Sequence, residues 1–283
     1  EMSDSTNQGG TSGPTVAAYL KALDIMESKS DVEVQLLTIP GIRETKITDS
    51  AITSVENRFD ALYIMDIEEK NADSIIITSS ADPVNVGNTV TDFASRNLDS
   101  SFAAAYFPDV IIPDPTTGAD VRCPPSVAAL GAFALNDKVA FPWLAPAGFT
   151  RGALQTAIDV QSNLNRANLD DLYDNDINPI TKFPSSPEIV IFGQKTLQAS
   201  ESALDRVNVR RLLIDIRRKV RGIANGILFE PNREETLARF SAAVNPVLNR
   251  IQQQQGLDRF KVVIDATTTT QADVENNTIR GKI

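Results

Sequence analysis

Two short stretches of this sequence hold residue types that perform chemistry in other proteins. Gly148-Phe149-Thr150-Arg151-Gly152 sets two glycines around an arginine, a combination suited to an anion. It lacks the Gly-Lys-Ser/Thr ending of a phosphate loop and the GxGxxG spacing of a dinucleotide site, so it reads as a tight turn with Arg151 in an ion pair. Asp170, Asp171, Asp174 and Asp176 crowd oxygen ligands as a calcium loop does. The calcium-loop spacing fails, because no glycine follows Asp174 or Asp176 and no glutamate closes the run, which leaves a solvated helix end. The chain has no histidine and a single cysteine, Cys123. A Ser-His-Asp triad, a Cys-His dyad, a zinc finger and a histidine-based zinc centre are therefore impossible within it, as is an intramolecular disulfide. Only carboxylates, lysine and backbone groups remain for chemistry. No carboxylate pair stands out from the surface acids, so no catalytic residue, cofactor site or metal site is assigned.

The one concentration of charge lies on a predicted helix that begins near Asp205. It carries Arg206, Arg210, Arg211, Arg217, Arg218, Lys219 and Arg221, with Asp215 as the only acid between Arg206 and Arg221. Val209, Leu212 or Leu213, Ile216, Val220 and Ile223 form its apolar stripe. Such a face has little i,i+4 compensation, and arginine favours bidentate pairing with carboxylates at interfaces. The seven basic residues are the candidate subunit or tube interface; the competing reading is an ordinary solvated face.

Over its 283 residues the chain carries a formal net charge of −10, with acids crowding residues 24–31, 49–69 and 170–176. That balance disfavours nucleic acid as a partner and suits binding between copies of the chain. No apolar run approaches the roughly 18 residues a membrane span needs, so no membrane insertion is expected. Residues 1–13 are polar and rich in Gly, Ser and Thr, which predicts a mobile lead-in.

The elements that must position this helix follow from hydrophobic periodicity. Helices are predicted over residues 14–29, 48–59 and 84–97, from Pro125 to before Asp137, from Asp205 through Arg221, and over 232–255. Strands are predicted over 32–39, 61–66, 102–107, 188–192, 260–264 and 277–283. Five prolines between residues 108 and 125 mark a surface excursion resembling a hairpin. Residues 152–174 read as turn and helix that stop at Ile177-Asn178-Pro179-Ile180, and residues 267–270 as a turn. Alternation of helix and strand predicts an α/β fold: two closely packed α/β regions with mixed sheets flanked by helices. The proline-broken apolar run 141–149 places the division near Pro142, giving regions 1–142 and 143–283.

Five motifs in order carry a resemblance. They are Trp143-Leu144-Ala145-Pro146-Ala147-Gly148-Phe149-Thr150-Arg151-Gly152, Leu172-Tyr173 with Ile177-Asn178-Pro179-Ile180, Phe192-Gly193-Gln194-Lys195-Thr196, Asp205-Arg206-Val207-Asn208-Val209-Arg210-Arg211-Leu212, and Asn276-Asn277-Thr278-Ile279. The series resembles the tail sheath proteins of contractile-tailed bacteriophages, more loosely in the first half. The resemblance implies a structural virion protein without a catalytic centre or cofactor. It implies subunits stacked as helical rings around a tail tube, contracting to drive the tube through the host envelope after assembly in the host cytoplasm. Its implied partners are other sheath subunits, the tail tube protein, and baseplate and tail terminator proteins. It also implies that this chain is a fragment lacking both terminal arms, with strand edges at residues 260–264 and 277–283 awaiting neighbouring strands. The alternatives are the sheath of a related contractile injection system and a metal-dependent α/β enzyme using carboxylates.

Overall fold

A computed structural model describes residues 15–77, 82–184, 186, 188–265, 267–276 and 278–283. The expected lead-in at residues 1–13 lies outside them. The chain forms two compact units, residues 1–211 and 212–283.

The first unit opens with α1 (Val16–Glu27), whose first turn is capped by the Thr15 hydroxyl accepting from the Ala18 N–H at 3.1 Å. Then come β1 (Leu36–Thr38), α2 (Thr45–Arg58), β2 (Leu62–Asp66), α3 (Val86–Ser95) and β3 (Ala103–Phe107). A hairpin of β4 (Val110–Pro113) and β5 (Asp120–Cys123) leads into α4 (Pro125–Val139). The short α5 (Gly148–Arg151), β6 (Asp159–Val160), α6 (Arg166–Asp174), β7 (Ile177–Lys182) and β8 (Ile189–Ile191) follow. The helix α7 (Val207–Asn225) contains the division between the units.

Strand order in the main sheet is β1-β2-β3-β7-β8. The first four strands are parallel, in registers Leu36 to Leu62, Tyr63 to Ala103 and Ala105 to Ile177, and β8 runs antiparallel to β7. Every residue of β2 and β3 is buried, as expected of parallel strands covered on both faces. Val16 and Leu23 of α1, Ile47, Ala51, Ile52 and Val55 of α2, and Val90 and Phe93 of α3 fill one core with Tyr63, Met65 and Ala105. The α/β class expected from the alternation holds. The side chain of Arg58, 1% exposed, fastens this layer: it donates to the carbonyls of Met26, Ser28 and Val32 and pairs with Asp60 at 3.0 Å. The second sheet, in order β5-β4-β6, is antiparallel.

Several expectations for the first unit differ from the structure. The main sheet crosses Pro142, because β7 and β8 join β1 to β3. The run from Phe141 is bound within the unit: Phe141 stacks on a buried Trp143 at 5.0 Å, and Asn136 donates to the carbonyls of Phe141 and Leu144. The stop expected at Ile177-Asn178-Pro179-Ile180 is the fourth strand. Pro179 is tolerated there because its carbonyl still accepts from the Phe192 N–H at 2.8 Å and β8 ends at Ile191. The strand expected at 32–39 shrinks to three residues.

In the second unit, α8 (Glu234–Gln253) buries Leu237, Phe240, Val244, Leu248 and Ile251 along one stripe. The strands expected at 260–264 and 277–283 reduce to one antiparallel bridge, in which Val263 and Lys282 exchange both backbone hydrogen bonds at 2.8 Å; residue 277 lies outside the described set. The turn at Thr267 is built on Asp265, whose carboxylate accepts from the Thr267 N–H at 2.8 Å. It leads into α9 (Gln271–Glu275), which has a capping box of Thr270 and Asp273.

Candidate assembly interface

Four of the five motifs meet around the first turn of α7. Asn178 is the hub: its amide donates to the carbonyls of Ala105 at 3.0 Å and Lys195 at 2.8 Å, and its Oδ1 accepts from the Lys195 N–H at 2.6 Å. Gly193 permits that approach, since a Cβ there would stand 2.8 Å from Asn178 Oδ1. Beyond it the chain pairs with the entry to α7. The Thr196 N–H donates to Asp205 O and the Val207 N–H to Gln194 O, both at 2.9 Å. Lys195 lies 4.0 Å from the centre of the Tyr173 ring and reaches Asp176 at 2.9 Å. Asn208, one residue into the helix, donates to Trp143 O at 3.1 Å. Five hydrogen-bonding segments thus fix where α7 starts and how it is rotated.

The seven basic residues fall into two groups. Arg210 and Arg211 are 8% and 5% exposed, so they do not belong to an exposed basic face. Arg210 lies 3.9 Å from the centre of the Phe102 ring and donates through Nε to Ser101 O at 3.2 Å. Arg211 pairs with Asp137 at 2.6 Å and stands over Phe133 at 4.9 Å. Apolar ring faces and the arginine stems explain this inward placement. The rest are more accessible. Arg206 pairs with Asp205 at 3.1 Å, and its pKa is raised by the Tyr173 hydroxyl. In the second unit Arg217 and Lys219 are exposed, Arg218 and Arg221 half-buried, and Lys219 pairs with Asp215 at 2.5 Å.

The carboxylates with unusual surroundings lie where α/β enzymes place their sites, beyond the carboxyl ends of the parallel strands. Asp66 accepts from the N–H groups of Gly41 and Ser126 and from the Ser126 hydroxyl, each at 2.8 Å. Burial nonetheless raises its pKa. Asp109 takes Arg43 and Arg122 at 2.5 Å each, and Glu69 takes the same two arginines. Burial pushes the Glu69 pKa up against their pull. These carboxylates are engaged by arginines and backbone donors that tie β5 and the start of β4 to the end of β2. Among the described residues no group of three or more acidic or cysteine side chains could hold a metal ion. Asp170, Asp171 and Asp174 lie along exposed α6. The Arg151 contact described is with the carbonyl of Ala145, at 3.0 Å, rather than the expected carboxylate.

Two features were not legible in the sequence. The arginine clamp joins residues 66 positions apart in the chain, with no local signal. Phe149, Phe183 and Phe192 converge at the surface, with ring centres 4.8 Å apart for Phe183 and Phe192 and 5.4 Å for Phe149 and Phe183. Two of these had appeared only as members of separate motifs.

Comparison with known proteins gives this architecture a family. The family model for the phage tail sheath protein central domain matches residues 12–197. The tail sheath protein of Vibrio phage KVP40 is 36% identical over 147 residues, 52% of this chain and 22% of that protein. The tail sheath protein of Enterobacteria phage T4 is 26% identical over 279 residues, 93% of this chain and 41% of that protein. The chain therefore spans less than half the length of these relatives. Among solved structures, the PVC sheath complex of an extracellular contractile injection system in the contracted state superposes with a TM-score of 0.71 at 24% identity, covering 89% of this chain and 66% of that one. The anti-feeding prophage helical sheath in the contracted state gives 0.69 at 20% identity, covering 98% and 71%. With a family model spanning more than half of its residues and a fold shared with contractile sheaths, this chain belongs to the phage tail sheath protein family.

Proposed function

We propose that this chain is a structural subunit of a contractile phage tail sheath, stacked in helical rings around a tail tube and repacked on contraction to drive the tube through the host envelope. The observation that carries this reading is the alignment of 93% of this chain with 41% of the T4 tail sheath protein. The likeness to sheaths of two contractile injection systems keeps the related machine as a second reading. In either setting the partners are other sheath subunits, the tail tube and baseplate proteins, and the location is the assembled particle. No helix among the described residues is long and apolar enough to cross a membrane.

A rigid subunit that changes neighbours needs contact surfaces that form and break without disturbing its core. In the second unit Arg217, Arg218, Lys219 and Arg221 supply such a surface, facing carboxylates on neighbouring subunits of a chain whose net charge is −10. The test is the double reversal Arg217→Glu and Arg218→Glu. The altered chain should remain folded while helical assembly, followed by sedimentation and electron microscopy, is impaired. Unchanged assembly would return this part of α7 to an ordinary solvated face.

A further inference from the structure

The connection between α7 and α8 ends in a built apolar tip. The Glu230 N–H donates to the Ile227 carbonyl at 3.1 Å, closing a four-residue turn, and Glu230 pairs with Arg239 of α8 at 3.2 Å. Phe229 takes the third turn position with φ 67°, a conformation normally left to Gly or Asn. Its side chain is fully exposed, at 105%, and Leu228 is 62% exposed. A bulky apolar residue held outward in a strained backbone conformation has neither a packing nor a solubility reason within its own chain.

The first unit carries a matching hollow. A cavity of about 200 Å³ opens between α4, the β4–β5 hairpin and the loop at residues 153–157. Val110, Ile112, Val127 and Leu154 line it together with the polar Gln155 and Thr156, and no ionisable group other than the Cys123 thiol does. An apolar cavity of about 150 Å³ is enough to hold a benzene ring, so a phenyl group fits this one. Gly131 also lines it, and a Cβ built there meets nothing within 4 Å.

We propose that the Leu228-Phe229 tip of one copy seats in the cavity beside α4 of the next copy. This rests on the sheath-assembly reading and names one of its contacts. Knob and hollow lie on different parts of the chain, so the contact is heterologous and propagates from copy to copy. The area points to the same occupant. Two side chains bury at most about 250 Å² each, well short of the roughly 800 Å² per partner of a stable free complex. Such a contact cannot hold an isolated pair; it contributes only when repeated in an array of copies.

The experiment places a photoactivatable phenylalanine analogue at position 229 and maps the cross-links by mass spectrometry, with isotope mixing to separate links between copies from links within one. The expected result is links between copies to residues 110–132 and 153–157, with products larger than dimers. Gly131→Leu, whose Cβ meets no atom within 4 Å and which adds a side chain at the cavity lining, should lower that yield at least about ten-fold at unchanged melting temperature. Phe229→Gly, which suits the positive φ, should leave the fold at least as stable and weaken association by a similar factor. Links within one chain, links elsewhere, no links, or a yield insensitive to Gly131→Leu would each overturn the proposal. Electron microscopy of the unaltered chain tests the broader reading separately. Helical tubes that persist in Phe229→Gly at unchanged protein concentration would sink the knob contact alone, whereas absence of tubes with the expected cross-links intact would sink only the sheath reading.

Discussion

Arg211→Ala tests whether the arginines of α7 divide as the structure divides them. The substitution removes a charge-assisted hydrogen bond to Asp137 at 2.6 Å, of about 1.5 to 3 kcal/mol. It also removes the guanidinium from over Phe133, at 4.9 Å, a contact of about 1 to 2 kcal/mol when desolvated. Two effects oppose the loss. Arg211 Nη1 is buried without a hydrogen-bond partner among the described residues, so its removal returns about 1 kcal/mol of desolvation. Asp137 is 34% exposed, so its carboxylate rehydrates instead of being stranded. The balance is a destabilisation of about 3 kcal/mol, or a fall of about 6 to 12 °C in melting temperature for a unit of this size. Trp143, the only tryptophan and 5% exposed, reports the transition by fluorescence. The contrasting variant is Arg217→Glu with Arg218→Glu, expected to remain folded and to unfold cooperatively. If Arg211→Ala melts within 2 °C of the unaltered chain and loses assembly instead, Arg211 is an interface residue and the division is wrong.

Arg58→Lys keeps the charge but replaces a fork reaching four acceptors with a single ammonium, so urea unfolding should show a loss of about 3 kcal/mol. A loss below 1 kcal/mol would mean that the clamp on α1 is dispensable. The hydroxyl of Tyr106 is fully buried and lacks a hydrogen-bond partner among the described residues, so Tyr106→Phe should be neutral or stabilising by up to about 1 kcal/mol. Clear destabilisation would reveal a partner for that hydroxyl. Glu69 has a folded-state pKa raised above its ordinary value, chiefly by burial, so the folded state holds its proton more tightly than the unfolded one. Its contribution is therefore fully present below the ordinary glutamate range and is lost as pH rises through the raised value. Glu69→Gln, which mimics the protonated form, should gain stability relative to the unaltered chain as pH rises from 4 to 7. A gain in the opposite direction would mean that Arg43 and Arg122 outweigh burial.

Long helices and fully buried strands were legible because they announce themselves locally. The three-and-four spacing of Ile52, Val55 and Phe59 gave α2 to within a few residues at its start, and the apolar run at Tyr63 gave β2. What escaped was set by neighbours. Ile177-Asn178-Pro179-Ile180 looks like a stop because proline and asparagine are poor strand residues. It forms β7 because Asn178 is held by three backbone groups from Ala105 and Lys195. Phe260-Lys261-Val262-Val263-Ile264 has the composition of a strand, yet local propensity makes a strand only where a partner supplies its hydrogen bonds, and the bridge from Lys282 reaches one residue. The prolines between 108 and 125 were read correctly as marking turns. Pro108 precedes β4, Pro113 ends it, Pro115 lies in the hairpin loop, and Pro124 and Pro125 lead into α4, where its first turn needs no donor.

The same distinction decides the basic helix. Residues seven apart on an α-helix differ by about 20° in direction, so Arg210 and Arg217 share a face, as do Arg211 and Arg218. Periodicity alone therefore assigns one role to all four. The structure gives them different roles, because Ser101 and Phe102 stand opposite Arg210, while Phe133 and Asp137 stand opposite Arg211. Two turns later Arg217 is exposed. Arg210 and Arg211 fasten the start of the helix to the first unit. Under the sheath reading proposed above, contacts with neighbours would exchange at the exposed residues while the buried ones stay fixed. Charge reversal is therefore expected to affect folding at positions 210 and 211 and, under the proposed sheath reading, assembly at 217 and 218.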